Sequence, residues 1–281
     1  MKIGVLGGDK RQVYLAKAIA GDGYKVMLGG LEQVLSDEEL PQKAYKELIK
    51  SCTHIILPLP VTRDGKTLFA PYTSEIIVLD DDFAKSLKGK EVYGGLMDKL
   101  TGTSEIWKKG SCNDYYKREE LVLGNAWLTA EAALGLAIHE YDGSLNHAKC
   151  LVTGFGRIGK ALCTLLRGVG ADVDCAARKS KDLTEINCIG CSAVAYQNID
   201  RKYDVIFNTV PVEVLGEKQL LRQDSDTVII ELASLPGGVD LKTAQRLKIR
   251  IVSAQSLPGR FSPKSAGEYI KETIYNMMEE S

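Results

Sequence analysis

Short apolar runs alternate with amphipathic or polar stretches along almost the whole chain. In the first part these runs lie at residues 2–8, 24–28, 54–60, 75–80 and 91–95. In the second part they lie at residues 150–153, 171–177, 203–210, 227–232 and 250–253. Runs of this length bounded by Gly, Pro or polar residues are typical of strands buried in a parallel sheet. Because the stretches between them suit helices, the pattern predicts an α/β fold with mostly parallel, doubly wound sheets.

Three helical patterns stand out from this alternation. One begins near Asp9 and carries its apolar residues on one face as far as Ile19. A long apolar helix is predicted over residues 125–141, between the two sets of strands. The third is amphipathic and covers residues 265–278 at the end of the chain. The middle helix is therefore a candidate connection between two domains.

A glycine motif follows the strand predicted at residues 150–153. Its six residues are Gly154, Phe155, Gly156, Arg157, Ile158 and Gly159. In this pattern the first glycine allows a tight turn, the second lets a pyrophosphate approach the backbone, and the third allows close packing of helix on strand. The motif stands between a predicted strand and a predicted helix, the context that dinucleotide binding requires. We therefore predict a cofactor site here; the alternative is a glycine-rich turn without a ligand.

The end of the next strand distinguishes the two nicotinamide dinucleotides. NAD-binding chains place a carboxylate there for the ribose 2′-hydroxyl, whereas this chain has Arg178, Lys179 and Ser180. Two cations and a hydroxyl suit a 2′-phosphate. Asp174 falls inside the strand, too early to hold the ribose. The pattern favours NADP over NAD, with a solvated basic loop as the alternative.

Later strand ends carry further candidate cofactor residues. In a doubly wound sheet the carboxyl ends of the strands face the ligand crevice. The strand over residues 203–210 ends in polar residues and a proline, and the strand over residues 227–232 leads into a small loop. The cofactor residues predicted from these two ends are Asn208, Thr209, Val210, Pro211, Ala233 and Ser234.

The first domain repeats the strand, turn and helix order without the glycine motif. Its turn has Gly7, Gly8 and a charged cluster of Asp9, Lys10 and Arg11. This cluster occupies the usual ligand position of an open sheet, although a charged helix start at the surface is the alternative. The prediction is two Rossmann-like domains with a cleft between them: a substrate domain over residues 1–122, to which residues 265–281 return, and an NAD(P)-binding domain over residues 123–264.

Composition restricts the classes of partner. The 281 residues are 44% hydrophobic and 26% charged, with a formal net charge of −1. This balance gives no reason to expect nucleic acid or a membrane surface as partner. By inspection we expect no apolar run to reach the length of a membrane span, and the first residues do not form a signal peptide. We therefore expect a cytoplasmic protein.

The cysteines and histidines do not suggest a metal site. Seven scattered cysteines in a chain without an export signal indicate reduced thiols. Cys188 and Cys191 form a single CxxC pair with no second pair nearby, and the three histidines lack metal-ligand spacing. No metal is predicted.

Several segments taken together resemble one known family, the A subunits of dipicolinate synthase. The resemblance covers the whole length and is carried by these segments: GGDKRQ (7–12), Asn125 with TAE (129–131), GFGRIG (154–159), NTVP (208–211), ELASLPGGVD (231–240) and LPGRFSPKSAG (257–267). One departure is Trp127-Leu128, where Ile-Pro is expected before the threonine. The domain plan is also similar to that of the D-2-hydroxyacid dehydrogenases, a wider and less specific match.

The resemblance implies oxidation of a dihydrodipicolinate-type ring to pyridine-2,6-dicarboxylate, together with a flavoprotein-like B subunit, in the mother cell of a sporulating bacterium. It also implies that the first domain holds a small dicarboxylate. The residues assigned to that substrate are Lys10, Arg11, Arg63, Asn125, Thr129, Pro258, Gly259 and Ser265. Acid and base candidates are Asp9, Glu131 and Lys264, with capping or surface ion pairing as the alternative for each.

Two other functions stay open from the sequence. A D-2-hydroxyacid dehydrogenase would use a histidine near a late strand end, whereas no histidine follows His147. An NADP-binding scaffold or regulatory subunit for the B subunit is the non-enzymatic alternative. A homo-oligomer paired through the helix at residues 125–141 is also expected.

Overall fold

Two parallel sheets carry the fold, as the alternation of apolar runs predicts. The structure is a computed structural model, and it describes residues 1–34, 40–110 and 112–280. The chain divides into two compact units. We call the unit formed by Met1–Asn125 and Ser262–Ser281 the first domain, and the unit formed by Ala126–Phe261 the second domain. Each has its own sheet and core, which confirms the α/β class with two doubly wound domains.

The first domain has five parallel strands in the order β2-β1-β3-β4-β5. The strands are β1 (Lys2–Leu6), β2 (Lys25–Gly29), β3 (His54–Ile56), β4 (Glu91–Gly94) and β5 (Cys112–Asp114). The helices are α1 (Lys10–Gly21), α2 (Tyr45–Ser51), α3 (Asp81–Ser86) and α4 (Asp98–Thr101), with 3₁₀ turns at Glu105–Lys109 and Tyr115–Lys117. Because β1 is flanked by β2 and β3, its carboxyl end lies where the connections leave in opposite directions, the usual ligand position of such sheets.

Helix α5 (Glu119–Glu140) crosses the boundary between the two units. Its 22 residues and its mean hydropathy of 1.5 meet the length and composition of a membrane-spanning helix, contrary to the expectation from the sequence. However, 44% of the 18-residue window of α5 that has this hydropathy is buried inside the protein, as in a core helix. Length and composition therefore do not distinguish this helix from one that fills a protein core.

The second domain has six parallel strands in the order β11-β10-β9-β6-β7-β8. The strands are β6 (Lys149–Thr153), β7 (Asp172–Ala177), β8 (Ser192–Ala195), β9 (Val205–Asn208), β10 (Val228–Glu231) and β11 (Arg250–Ser253). The helices are α6 (Arg157–Gly168), α7 (Ser180–Cys188), α8 (Glu217–Leu220), α9 (Leu241–Arg246) and α10 (Leu257–Phe261), with a 3₁₀ turn at Tyr196–Asn198. The strand order reverses on either side of β6, so the ligand crevice is expected beside β6 and β9.

Helix α6 shows how the sequence builds this domain. Leu162, Cys163 and Leu166 recur at helical spacing and are fully buried against the sheet. The opposite face of the helix is exposed. Burying each large aliphatic side chain contributes about 2 kcal/mol. The packed face therefore fixes α6 against the sheet and places its first turn at the carboxyl end of β6.

The last helix, α11 (Pro263–Glu279), packs against α1 in the first domain, as predicted for the end of the chain. A Cβ at Gly267 would lie 2.6 Å from the carbonyl oxygen of Arg11, so only glycine permits this close approach. Near the other end of α1, Asp22 accepts hydrogen bonds from Lys271 Nζ at 2.9 Å and from the Tyr275 hydroxyl at 3.0 Å. These contacts make the two helices parallel, with their amino-terminal turns side by side.

The prediction of a strand at residues 75–80 is wrong. This segment is extended, but its only ladder contact among the described residues is an antiparallel bridge between Val78 and Thr67. Ile77 and Leu79 are buried, whereas Ile76 is 76% exposed. The apolar run therefore covers the core from a surface loop instead of joining the parallel sheet.

Candidate functional site

The turn between β6 and α6 has the geometry that the glycine motif predicts. Gly154 has a φ of +91°, a conformation that L side chains rarely adopt. Gly156 is the N-cap of α6, and a Cβ added there would meet no atom of the described part of the chain within 4 Å. A Cβ at Gly159 would overlap the carbonyl oxygen of Gly154, so helix and turn are in direct backbone contact. The turn thus leaves open space at the start of a twelve-residue helix.

A pocket of about 430 Å³ lies at this turn, within the second domain. Its volume is in the usual range for small-molecule sites. It brings together many of the predicted cofactor residues, namely Gly154, Phe155, Gly156, Arg178, Lys179, Thr209, Val210 and Pro211. Three strand ends, those of β6, β7 and β9, therefore contribute to one site, as predicted for the carboxyl edge of the sheet.

The basic end of the pocket follows β7. Arg178 and Lys179 are exposed and lie immediately before α7. Asp174 lies within β7, where it is 1% exposed and accepts hydrogen bonds from Arg201 and from the Tyr203 hydroxyl, the latter at 2.8 Å. Since this carboxylate is committed to the interior, it does not serve a ribose at the pocket.

Besides Ala177 at the end of β7, two polar lining residues were missed by the sequence reasoning. Asp182, in the first turn of α7, and Tyr196, after β8, both line the pocket. Burial raises the pKa of Tyr196. Neither residue belongs to a recognisable motif, because each reaches the pocket through the packing of α7 and β8 beside β7. Asp182 places a carboxylate close to the two cations.

Phe155 contributes to the pocket lining, but its side chain is buried in the core. The other predicted cofactor residues lie outside the pocket lining. Ile158 packs partly against the same core, and Arg157 and Ser180 are exposed. Ala233 is buried and Ser234 is exposed, in the loop after β10. Gly159 acts through the turn beneath the pocket, and Asn208 through the hydrogen bonds described next.

A row of buried polar side chains crosses the last paired positions of β6, β9 and β10. Thr153 pairs in register with Asn208, which pairs in turn with Glu231. The Thr153 hydroxyl donates to Asn208 Oδ1, and Asn208 Nδ2 donates to Glu231 Oε1 at 2.7 Å. Glu231 was not predicted, although an acidic residue closing the run Val-Ile-Ile was a visible signal. We call these three residues the polar rung.

In the first domain, much of the corresponding turn is filled by its own side chains. Asp9 caps α1 by accepting the backbone N–H of Arg11 at 3.1 Å, and it also accepts Arg11 Nε at 2.9 Å and Nη2 at 2.8 Å. Arg11 is buried and donates to the Leu59 carbonyl, while Gln12 and Tyr115 donate to the Leu57 carbonyl. These side chains brace the segment that leaves β3.

Cations nevertheless gather around this turn. Lys10 is exposed in the first turn of α1, and Lys264 and Ser265 lie in the first turn of α11. The loop that holds Arg63 is joined to the turn by a bond from Gly8 N–H to the Phe69 carbonyl at 2.7 Å. Arg63 lies 4.1 Å from the centre of the Phe69 ring. The structure therefore brings together two helix starts and three cationic side chains at one edge of the first domain.

The remaining predicted site residues lie on α5 and α10. Asn125 is half-buried at the boundary between the units, Thr129 is buried and Glu131 is exposed, all on α5. Pro258 is buried and Gly259 is half-buried within the short helix α10. Their roles toward a substrate stay predictions.

The thiols are free and show no metal-ligand geometry. All seven cysteines are unpaired. Over residues 1–34, 40–110 and 112–280, no group of three or more His, Cys, Asp or Glu side chains could hold a metal ion.

The residues present fit a dinucleotide cofactor. Gly156 leaves room for a phosphate, the first turn of α6 offers backbone N–H groups, and Arg178 and Lys179 supply charge at the far side of the pocket. Two doubly wound domains, one of them with this pocket, define a protein with a dehydrogenase-like Rossmann fold.

Comparison with known proteins shows what the chain is similar to. Residues 2–103 match the family described as the N-terminal domain of the dipicolinate synthase A chain. The A chain of dipicolinate synthase from Bacillus subtilis is 25% identical over 293 residues, covering 100% of this chain and 96% of the relative. The resemblance seen in the sequence is thereby confirmed over the full length, and the match to the family of the N-terminal domain covers residues 2–103.

Solved structures agree with this assignment. The crystal structure of the dipicolinate synthase A chain from Bacillus halodurans has a TM-score of 0.86 and 26% identity, covering 99% of this chain and 97% of that one. A transhydrogenase from Sinorhizobium meliloti has a TM-score of 0.68 at 16% identity, covering 98% and 93% of the two chains, and shares the fold. The similarity to these dipicolinate synthase chains supports an oxidoreductase-type role.

Proposed function

We propose that this chain is an NADP-linked oxidoreductase subunit that forms dipicolinate from a dihydrodipicolinate-type precursor. The observation that carries the proposal is the pocket above the open Gly156, with two cations at its edge, in a chain similar along its whole length to the A chain of dipicolinate synthase. NADP is favoured over NAD because Arg178 and Lys179 stand where a 2′-phosphate would be bound. Asp182 beside them limits this preference, since its charge opposes a phosphate.

The substrate is proposed to bind at the first domain. A pyridine dicarboxylate precursor is a small dianion, which requires cations and N–H donors. The edge formed by the starts of α1 and α11 offers both, with Lys10, Lys264 and Arg63 as the exposed cations. Arg11 contributes less directly, because its guanidinium is already bonded to Asp9 and the Leu59 carbonyl.

The proposed reaction removes two hydrogens from the ring. A bound nicotinamide cofactor would accept one as a hydride, and the other leaves as a proton, so that NADP⁺ and the dihydro ring give NADPH, H⁺ and dipicolinate. Aromatisation favours this direction, and the protein therefore needs chiefly to position the ring and exclude water. Exposed Glu131, or water, remains the candidate to take the proton, because Lys264 as a cation has no acceptor site. Asp9 is a weaker candidate because Arg11 holds both of its oxygens.

The test is the absorbance of dipicolinate formed from dihydrodipicolinate, with and without NADP and the B subunit. We expect formation to depend on the cofactor; formation independent of NADP and NAD would refute the proposal. Lys264→Ala is expected to abolish turnover while NADP binding persists. The matched control is Lys271→Ala, on the same helix but engaged with Asp22 at the opposite end of α1.

A non-enzymatic scaffold for the B subunit is the second candidate. The engagement of Asp9 and Arg11 with each other favours it, because a charged pair satisfied internally need not bind a ligand. Full turnover in both Lys264→Ala and Arg11→Ala would support this alternative. A D-2-hydroxyacid dehydrogenase is disfavoured, since His139 and His147 precede β6 and His54 begins β3, away from the late strand ends.

We further propose a homo-oligomer in the cytoplasm of a sporulating mother cell, which works with the B subunit but without nucleic acid or membrane. Helix α5 exposes Leu123 (45%), Trp127 (42%) and Ile138 (60%), which suits pairing with a second copy. Sedimentation of the wild type and of Ile138→Glu tests the pairing. An unchanged sedimentation coefficient in the variant would exclude this face.

A further inference from the structure

A buried carboxylate lies at the cofactor-facing edge of the second domain. Glu231 ends β10 and is 8% exposed. Its Oε1 accepts Asn208 Nδ2 at 2.7 Å and the backbone N–H of Ala233 at 3.0 Å, while its Oε2 accepts the backbone N–H of Gly238 at 3.2 Å. The dehydrogenase role proposed above leaves this group without a function.

The hydrogen-bond pattern identifies Glu231 as a charged group. Every partner given above is a donor, and both oxygens act as acceptors, which suits an ionised carboxylate. Within residues 1–34, 40–110 and 112–280, no Lys or Arg forms an ion pair with it at 4 Å or less. Amide N–H groups therefore stabilise the negative charge without neutralising it.

The order of the strands places this charge on one side of the pocket. The cations Arg178 and Lys179 follow β7, on one side of β6, whereas β9 and β10 lie on the other side. A dinucleotide with its pyrophosphate at the β6 turn and its 2′-phosphate end at β7 must extend its nicotinamide half toward β9 and β10. Neighbouring strands are about 4.8 Å apart, so β10 is two strand spacings, about 10 Å, from β6.

The polar rung connects Glu231 to the pocket itself. Asn208 donates Nδ2 to Glu231 and to the Val210 carbonyl at 3.1 Å, and its Oδ1 accepts the Val210 N–H at 3.3 Å. Val210 lines the pocket. The carboxylate is thus one side chain removed from the pocket wall, behind a layer with little water to screen it.

We propose that Glu231 makes the site prefer the oxidised over the reduced form of its nicotinamide cofactor. The oxidised ring carries one positive charge, which is lost when the ring accepts a hydride, so a fixed negative charge on its side of the pocket stabilises only the oxidised form. This inference rests on the proposed function, because it assumes a bound nicotinamide. It gives the site a bias suited to an oxidation, in which the oxidised cofactor must bind and the reduced cofactor must leave.

The test compares binding of the two cofactor forms, without substrate. The dissociation constants of NADP⁺ and NADPH are measured by calorimetry for the wild type, Glu231→Gln and Glu231→Asp. In E231Q we expect the ratio of the NADPH constant to the NADP⁺ constant to fall about three- to tenfold. In E231D, which keeps the charge, the ratio should stay within about twofold of the wild type. Since glutamine puts an NH₂ group against an N–H donor, Glu231→Thr provides a second neutral variant should E231Q not fold.

The ratio of the NADPH and NADP⁺ dissociation constants distinguishes two effects of Glu231. One is its negative charge, and the other is the support that its hydrogen bonds give to the loop after β10. Loss of support would weaken both cofactor forms by the same factor and leave the ratio unchanged, which would overturn the proposal. A ratio that falls equally in E231D would also overturn it, because the charge is retained there. Absence of binding of either cofactor to the wild type would refute the proposed function as well, whereas binding with an insensitive ratio would refute only the role of Glu231.

Discussion

The two domains contain the same order of strand, turn and helix, but the turn is open in the second domain and filled by side chains in the first. In the second domain, Gly154 and Gly156 leave the start of α6 open, and no group of the described residues lies within 4 Å of a Cβ built on Gly156. In the first domain, Gly7 (φ +68°) and Gly8 (φ +90°) make a similar turn after β1. There, however, a Cβ on Gly8 would overlap the Gln12 side chain, and Asp9 is joined to Arg11.

This difference shows that the fold alone does not determine the ligand. In both sheets a helix begins at the carboxyl end of a central strand. Of these two turns, only the one after β6 has room for a phosphate against the backbone. In the other turn the side chains that follow the glycines bond to carbonyls of the segment leaving β3. The anion site proposed for the first domain therefore depends on the exposed cations around the turn more than on the turn itself.

The largest expected effect is at the close contact of the second turn. Gly159→Ala places a methyl group against the Gly154 carbonyl and must displace α6 or the turn. We expect the free energy of unfolding to fall by about 3 kcal/mol and binding of NADP to be lost. Urea unfolding and calorimetric titration measure the two effects.

Gly168→Ala is the matched control for this substitution. Gly168 is the last residue of the same helix, and a Cβ there would meet nothing within 4 Å. Its free energy of unfolding should stay the same or rise by about 0.5 kcal/mol. If both variants behaved alike, the close contact would not be what the glycine motif supplies.

A smaller loss is expected from the charged pair of the first turn. Arg11→Met keeps the length of the side chain but leaves Asp9 without its partner and the Leu59 carbonyl without a donor. We expect the free energy of unfolding to fall by about 2 kcal/mol, measured by urea unfolding. In the control Arg63→Met, an exposed cation is removed from the face of Phe69, and the loss should stay below about 1 kcal/mol. Equal losses would mean that Arg11 is not the structural member of the cluster.

The sequence predicts the cofactor half of the site best, because its determinants are local. A glycine motif, the strand before it and the basic residues after the next strand lie within residues 150–180, and the structure brings most of them to one pocket. The fold class follows from the alternation of apolar runs, which requires no knowledge of long-range contacts. Packing of α11 on α1 was also foreseeable from its apolar face and the resemblance.

Long-range determinants could not be read from the sequence in this way. Arg11 sits in a charged cluster typical of a ligand site, but its partner Leu59 is 48 residues away. Glu231 bonds to Asn208 on the neighbouring strand, 23 residues earlier in the chain, and Tyr196 reaches the pocket from the end of β8. The run at residues 75–80 has the composition of a strand, yet whether it joins the sheet depends on which edge is available. In each case the role of the residue depends on a contact that is distant in the sequence, and not on the type of the residue.

The next effect in size is a change of about tenfold in the preference for NADP over NAD. Arg178→Asp removes a cation from the pocket and adds a second carboxylate near Asp182, so a 2′-phosphate should be repelled. We expect the ratio of the NADP and NAD dissociation constants to move toward NAD by about tenfold or more. Lys181→Asp is the matched charge reversal, exposed in α7 and outside the pocket lining. An equal shift in both variants would mean that the effect comes from the net charge of the protein and not from the position of Arg178. No shift in either variant would refute the interpretation that Arg178 binds the 2′-phosphate.

The smallest expected effect compares one carboxylate at a helix end from each domain as the pH is lowered. Hydrogen bonds from Lys271 and then Tyr275 lower the pKa of Asp22, which joins α1 to α11. The side-chain and backbone groups of Thr243 lower the pKa of Asp240, the N-cap of α9. A carboxyl whose pKa is lowered by folding stabilises the fold above its unfolded value of about 3.9, and this contribution disappears as the pH falls through the folded value.

Asp22→Asn and Asp240→Asn should therefore be slightly less stable than the wild type at pH 7 and equal to it in strong acid. Buried Trp107 reports on the first domain, so its fluorescence in a Trp127→Phe background follows that domain alone. We expect Asp22→Asn to shift this transition and Asp240→Asn to leave it in place, provided that the two cores unfold independently. If Asp240→Asn shifted the Trp107 transition equally, the two domains would unfold as one cooperative unit, and their contrasting turns would share a single stability.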